Sequence, residues 1–400
     1  MSAAAAPSVT VLMTVYDGLP YLSTAIESVL AQELAEFEFL IIDDRSTDAS
    51  VDCIRSYRDP RIRLVCNAEN LGQARSLNRG LELARGEYVA RLDQDDVALP
   101  QRLIRQVTFL RRHPEVAVVD GYGLKIDAAG RTTGAMIKPW HDYGTFLGLV
   151  VVGGCSLGHA SVTYRRDAVL RLGGYDESMA PAEDHDLWGR LGLAGFRISV
   201  IREILAMYRF HETQQTATRV RLRQGKLKAA HERIVTALCD TPAARRAGAF
   251  LRLDPGFWDT VGSRTERRDV LRTLDRMVEA LERRFPLTLH ERRSLRAVVY
   301  RWVGGGALRA ILNGRRESWP FFLYALRGGI AMLRFPAVVL YPLFFVLSPF
   351  LTPRMGAYLV GVVETVRERR HVPWIALHRL GQAVRRRGRG AVTRPRPSTP

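Results

Sequence analysis

Two acidic clusters in the first half of the chain bring together residues that could do chemistry. Asp93-Gln94-Asp95-Asp96 closes an apolar run in GEYVARLDQDDVALP, and Glu183-Asp184-His185-Asp186 follows a glycine-rich turn in GGYDESMAPAEDHDLWGRL. Carboxylates at the end of an apolar run are poor packing material, because burying an unpaired charge is costly. Hard divalent cations such as Mg2+ and Mn2+ prefer carboxylate and phosphate oxygens. If the clusters share one site, the first would hold a metal and the second would take a proton. That is the chemistry of moving a group off a diphosphate, where charge grows on the leaving group.

The elements that must position these residues alternate. Apolar runs at 8–15, 37–43, 61–66 and 87–93 read as buried strands, and 20–32, 48–57, 72–84 and 100–112 read as helices. Pro20 and Pro100 are read as helix openers, and Ser46, Thr47 and Asp48 as helix-starting residues. Strands alternating with helices of this length imply βαβ units and a parallel sheet. Ligands then bind beyond the carboxyl ends of the strands, where Asp43, Asp44, Asp93 and Asp95 fall. Further strands are expected at 116–126, 160–165 and 197–209, with a helix at 184–194.

Charge divides the chain in two. The chain has 400 residues and a net charge of +18, but residues 1–217 carry −5 and residues 218–400 carry +23. Such a split, in a chain of this length, argues for two units with different partners. Residues 1–217 are expected to be catalytic, 218–384 helical and basic with a candidate membrane-associated segment at 319–353, and 385–400 a disordered basic tail. Within that segment lie 19 uncharged residues between Arg334 and Arg354, interrupted by Pro336, Pro342, Pro349 and Pro353. A straight helix of that length would span about 28 Å, close to a bilayer core. Basic residues flank it on both sides, which suits an interfacial or re-entrant segment; a true span and a buried core helix are the other readings. The four cysteines form no CxxC pair and read as reduced thiols. The start lacks a basic region followed by a long apolar one, so a cleaved secretion signal is not expected.

The ordered segments VTVLMTVYDGLPYLSTAIESVLAQ, FLIIDDRSTDAS, NAENLGQARSLNRGLELARGEYVARLDQDD, HASVTYRRDAVLRLGGYDE and AEDHDLWGRL resemble family 2 glycosyltransferases over about residues 8–212. The resemblance implies an α/β fold of the GT-A nucleotide-sugar-binding type, with a mostly parallel central sheet, followed here by the mainly helical basic region. It also implies inverting transfer from a nucleotide sugar, with a UDP-sugar the first choice. Tyr16 and Asp17 would then lie near the base, and Asp44 would accept from a base N–H; Asp44 with Ser46 and Asp48 could instead simply cap the next helix. Asn78 matches a donor-side position, although Leu77 stands where many members carry Arg. Asp93-Gln94-Asp95 resembles the DxD motif, with Asp95 the main ligand of Mg2+ or Mn2+ and Asp93 nearer the ribose. Glu183-Asp184 resembles the ED motif, with Asp184 the catalytic base and Glu183 an acceptor-binding neighbour. His211 follows the last strand, where related folds sometimes supply a metal ligand and where a solvated loop histidine is also ordinary. Arg301-Trp302 resembles the end of the processive QxxRW motif, but Val298 replaces its Gln, so the enzyme reads as non-processive.

The expected acceptor is a lipid-linked saccharide or a polysaccharide, in cell-envelope or polysaccharide synthesis. The expected place is cytoplasmic, peripherally associated with the inner face of the membrane, with the basic half facing an anionic surface. A sugar-1-phosphate nucleotidyltransferase is the alternative enzyme, but residues 9–20 lack its Gly-rich loop. A basic nucleic-acid- or membrane-binding scaffold is the non-enzymatic alternative. No zinc pattern or aromatic RNA-binding motif supports a nucleic-acid partner.

Overall fold

The computed structural model describes residues 7–138, 142–154, 157–214, 218–312 and 315–327. Its first part alternates as the sequence pattern requires: β1 (Val9–Val15), α1 (Leu22–Leu30), β2 (Glu38–Asp43), α2 (Ser50–Ser56), β3 (Ile62–Cys66), α3 (Gln73–Leu83) and β4 (Tyr88–Arg91). These strands lie side by side in the order β3-β2-β1-β4, all parallel. β1 and β2 are buried over almost every residue, and this explains their continuous apolar sequence. Helix α1 presents Leu22, Ala25, Ile26 and Val29 to the core, the stripe of an amphipathic helix.

Beyond β4 the sheet becomes mixed. The next elements are β5 (Val97–Ala98), α4 (Arg102–Arg112), β6 (Val116–Ile126), β7 (Thr132–Met136), α5 (Tyr143–Val151), β8 (Thr163–Arg165), α6 (Arg166–Leu170), α7 (Glu183–Leu193) and β9 (Arg197–Arg209). The sheet runs on as β4-β8-β6-β9-β5, with β7 added to β6. β8 is antiparallel to both its neighbours, whereas β6 and β9 are parallel. Helices α1 and α4 begin at Leu22 and Arg102, each two residues after the proline read as its opener, so Pro20 and Pro100 lie in the preceding turns.

Helices α8 (Val220–Leu238), α9 (Pro242–Leu251), α10 (Arg264–Arg284), α11 (Leu289–Leu312) and α12 (Trp319–Leu326) complete the described residues, and those up to Arg327 form one compact unit. Among the described residues no helix is long and apolar enough to cross a membrane. The 335–353 apolar run and the 385–400 tail lie outside them. Cys53, Cys66 and Cys239 are free thiols.

Helix α5 joins the basic helices to the half of the chain that forms the sheet. It has no polar stripe: Tyr143, Phe146, Leu147, Val150 and Val151 are all buried, together with Gly144 and Gly148. The two glycines let α11 approach backbone to backbone. A Cβ on Gly144 would meet the Glu291 carbonyl oxygen at 2.0 Å, and one on Gly148 would meet Val298 Cβ at 2.7 Å. Buried Glu291 also forms an ion pair with half-buried Arg197 at the start of β9. Gly144→Ala is therefore expected to overpack this seam and to destabilise the protein by about 1–3 kcal/mol. Guanidinium denaturation followed by circular dichroism checks it; an unchanged midpoint would contradict the close approach.

Candidate active site

The carboxyl ends of β1, β2 and β4 face one edge of the sheet, and each carries a sequence-expected residue. After β1, Asp17 sits at φ +46° and accepts from the backbone N–H groups of Thr47 (2.7 Å) and Asp48 (3.2 Å). This ties the β1 loop to the β2 loop. Tyr16 is 45% exposed, and the Gln94 side chain holds its backbone from both sides: Tyr16 N donates to Oε1 at 2.8 Å and Nε2 donates to Tyr16 O at 3.0 Å. At the end of β2, buried Asp44 accepts from Asn67 Nδ2 (2.7 Å) and from the backbone of Leu71 and Gly72 (2.8 Å each). Gly72 sits at φ +84°, a conformation glycine adopts without strain. Asp44 therefore fixes the loop leading into α3 and does not cap α2. Asp48 serves that turn, accepting from Ser50 N at 2.9 Å and Leu19 N at 3.2 Å. On α3, Leu77 is in the core, and the Asn78 side-chain amide pairs with both backbone groups of Tyr175 at 2.8 Å. Asn78 thus positions the turn that precedes α7.

The loop after β4 is held from two strands. Buried Arg91 forms an ion pair with Asp93. Asp95 Oδ2 lies 2.9 Å from His211 Nε2, and His211 Nδ1 lies 2.8 Å from Thr213 Oγ1. Asp96 accepts from the backbone N–H of Arg209 at 2.8 Å, and Arg209 Nε donates to the Asp95 carbonyl at 3.0 Å. Desolvation raises the Asp95 carboxyl above its ordinary range, with the Asp93 charge adding and His211 opposing. Asp96, buried beside both acids, is pushed up further, by desolvation first.

Asp95 and His211 are in direct hydrogen-bond contact, one offering an oxygen and the other a nitrogen. Among the described residues no three metal-ligating side chains converge as a complete cage. The pair suits a divalent cation that completes its shell with diphosphate oxygens and water, as Mg2+ commonly does.

Glu183 and Asp184 open helix α7. Glu183 is 3% exposed, its Oε2 has no hydrogen-bond partner, and desolvation pushes its pKa up to about 7, with Asp184 and then Asp93 adding to the shift. Asp184 is half-buried and its Oδ1 accepts from the His185 N–H at 2.7 Å. Asp186 is structural, paired with Arg190 at 2.7 Å and Arg233 at 3.2 Å. His159 lies 3.1 Å from the Tyr175 hydroxyl; desolvation and then the Arg91 charge lower its pKa to about 4, while Asp93 and Asp184 both act to raise it. The two acidic clusters are thus within electrostatic reach of each other across His159. Trp188 is 1% exposed, its ring packed near those of His159 and Tyr164, so it is a core residue.

The family model "Glycosyl transferase family 2" matches residues 10–169. The putative glycosyltransferase EpsE of Bacillus subtilis is 33% identical over 211 residues, covering 52% of this chain and 73% of that protein. The chain belongs to glycosyltransferase family 2. An uncharacterized glycosyltransferase of Methanocaldococcus jannaschii is 27% identical over 219 residues, 54% of this chain and 75% of that protein. A crystal structure of S. aureus TarS residues 1–349 with UDP-GlcNAc aligns at a TM-score of 0.51 and 17% identity, covering 81% of this chain and 91% of that one. That likeness is one of fold, and it supports the GT-A-type architecture expected from the sequence.

Sequence reasoning missed the residues that hold the motif residues of this glycosyltransferase. Gln94, between Asp93 and Asp95, clamps Tyr16. Arg91 is a fully buried cation at the end of a central strand, and that placement was the visible signal. Arg209 reaches back 114 positions to Asp95 and left no local trace. Trp302 of the partial QxxRW match donates to the Leu251 carbonyl at 2.6 Å within the helical region.

The Glu183 pKa of about 7 lies above its ordinary 4.5, so ionising Glu183 is harder in the folded protein. Stability should then fall as pH rises from 4.5 to about 7, because the folded state binds more protons there. Glu183→Gln removes this slope and should be more stable than wild type at pH 8, on the order of 2 kcal/mol. Urea denaturation at pH 5 and pH 8 measures it; equal slopes in the two proteins would contradict it.

Proposed function

We propose that the chain is a metal-dependent inverting glycosyltransferase that moves a sugar from a nucleotide donor to a hydroxyl of a lipid-linked saccharide or polysaccharide. What supports this reading is that Asp93 and Asp184 both act electrostatically on Glu183 and His159, and that His211 lies against Asp95. A UDP-sugar is the donor best supported, because the TarS structure of like fold was crystallised with UDP-GlcNAc.

The donor would lie across the ends of β1, β2 and β4, its base near Tyr16, Asp17 and Asp44, with Asn78 shaping the wall behind it. Asp95 and His211 would hold Mg2+ or Mn2+, which supplies neutralisation of the charge growing on the departing diphosphate. Asp93, fixed by Arg91, faces the ribose. Asp184 accepts the proton of the acceptor hydroxyl as that oxygen attacks the anomeric carbon, and a single displacement inverts the configuration. Glu183, close to half protonated at neutral pH, can donate a hydrogen bond to the acceptor or accept one. Residues 1–217 form the transferase part and 218–384 a basic accessory part. Its net positive charge supports contact with an anionic membrane surface at the cytoplasmic face, and the sequence carries no zinc or aromatic RNA-binding pattern for a nucleic acid. Family membership favours transfer over the nucleotidyltransferase reading.

Two variants test the roles. Asp184→Asn is expected to fold, to bind nucleotide as wild type does, and to lose turnover by about 10²–10⁴-fold. Single-turnover assays with radiolabelled donor measure this, and near-wild-type turnover would remove Asp184 as the base. Asp95→Ala is expected to lose the metal-dependent part of nucleotide affinity in calorimetry; affinity that still responds to chelator would rule out Asp95 as the principal ligand.

A further inference from the structure

Arg91 is the least expected residue near the site. It lies in a central strand of the sheet and is 0% exposed, where a cation is costly unless compensated. Its guanidinium donates to the Leu12 carbonyl at 3.3 Å, to Thr14 Oγ1 at 3.4 Å, to the Leu92 carbonyl and to Asp93 Oδ1, while its Nε has no partner. From below, Arg102 Nη2 donates to the Arg91 carbonyl at 2.5 Å and holds the backbone. The contacts are directional. They pin one carboxylate of the DxD, and they leave the other to His211.

A carboxylate that accepts a charge-assisted bond from a buried guanidinium is a poorer ligand for a cation, because the metal must compete with a fixed positive charge for the same oxygens. Asp95, by contrast, meets a histidine that can itself turn to a metal. The two acids are one residue apart in sequence and would otherwise be equivalent ligands. The geometry points to Arg91 as the positioning residue that decides between them: it withholds Asp93 from the metal, keeps it for the hydroxyls of the donor ribose, and leaves Asp95 as the carboxylate that binds the cation. The inference rests on the metal-dependent reading proposed above and adds to it a cause for the division of labour within the DxD.

A residue that merely supported the fold would, when lost, loosen every ligand. A residue that withholds Asp93 has opposite effects on two ligands. In Arg91→Met the freed Asp93 joins Asp95, so Mn2+ alone should bind more tightly, by roughly fivefold or more, since a unit charge beside the ion has gone. UDP measured in saturating Mn2+ should bind more weakly, by about tenfold, because Asp93 has left the ribose. Leu12 O also accepts from Leu92 N at 3.3 Å, so the carbonyl is not orphaned by the change and the variant should fold. Arg91→Lys, which keeps the charge, should restore wild-type Mn2+ affinity. The experiment is Mn2+ titration of the full chain by electron paramagnetic resonance, followed by UDP calorimetry. Mn2+ affinity that falls or stays the same in a folded Arg91→Met, or in Arg91→Gln should that variant not fold, overturns the assignment. Wild-type protein that binds UDP but no Mn2+ overturns the metal reading itself, and Arg91 with it.

Discussion

Burial of clustered carboxylates, with their mutual repulsion added to it, is the constraint to which the rest of this structure answers. Asp93, Asp95, Asp96, Glu183 and Asp184 are brought to one edge of a sheet whose interior cannot solvate them. Burial first, and then the neighbouring carboxylates, raises the pKa values of Asp95, Asp96 and Glu183. The three groups that relieve it come from two places in the chain, the end of β4 and the end of β9. Arg91 rises from β4 to Asp93, His211 comes from beyond β9 to Asp95, and Arg209 offers its backbone N–H to Asp96. A divalent cation at Asp95 would supply the positive charge that these acids still lack.

Positioning then propagates outward. The parallel half of the sheet fixes the ends of β1, β2 and β4, and Gln94 and Asp17 lash their loops together. The antiparallel insertion of β8 between β4 and β6 carries the chain back beneath the acidic loop and on to α7. Asn78 fixes the turn between them through Tyr175. The basic helices are no loose appendage, because α11 seats against α5 through Gly144 and Gly148, and Glu291 reaches Arg197 at the foot of β9. The strand that delivers Arg209 and His211 to the site is thereby buttressed at its other end.

Much of this was legible in the sequence, for identifiable reasons. Strands β1, β2 and β4 are buried on both faces, whereas β3 is half-buried at the sheet edge; helices α1, α3 and α4 are buried on one face, so they show a stripe. Helix α5 broke that rule: buried nearly all round and rich in glycine, it presents no periodicity to read. The short edge strand β7, TTGAM, is exposed or half-exposed along its length and has no apolar alternation. In the site, the motif acids were legible because local strand-end and helix-start patterns carry them. Their partners were not, because Gln94 to Tyr16, Asn78 to Tyr175 and His211 to Asp95 are contacts across 78, 97 and 116 positions. Asp44 illustrates the limit: its place at a strand end could be read, but not that its carboxylate already organises the loop at 67–72.

The central claim is that the two acidic clusters form one metal-dependent nucleotide-sugar site. The most direct test is thermal unfolding of the full chain with UDP-, GDP- and dTDP-sugars, each with Mn2+, Mg2+ or chelator, since a ligand that binds only the folded state raises its stability. The account predicts a rise with one nucleotide, UDP first, that requires the metal and vanishes with chelator. Folded protein whose melting no nucleotide shifts, or shifts equally with chelator, would contradict it.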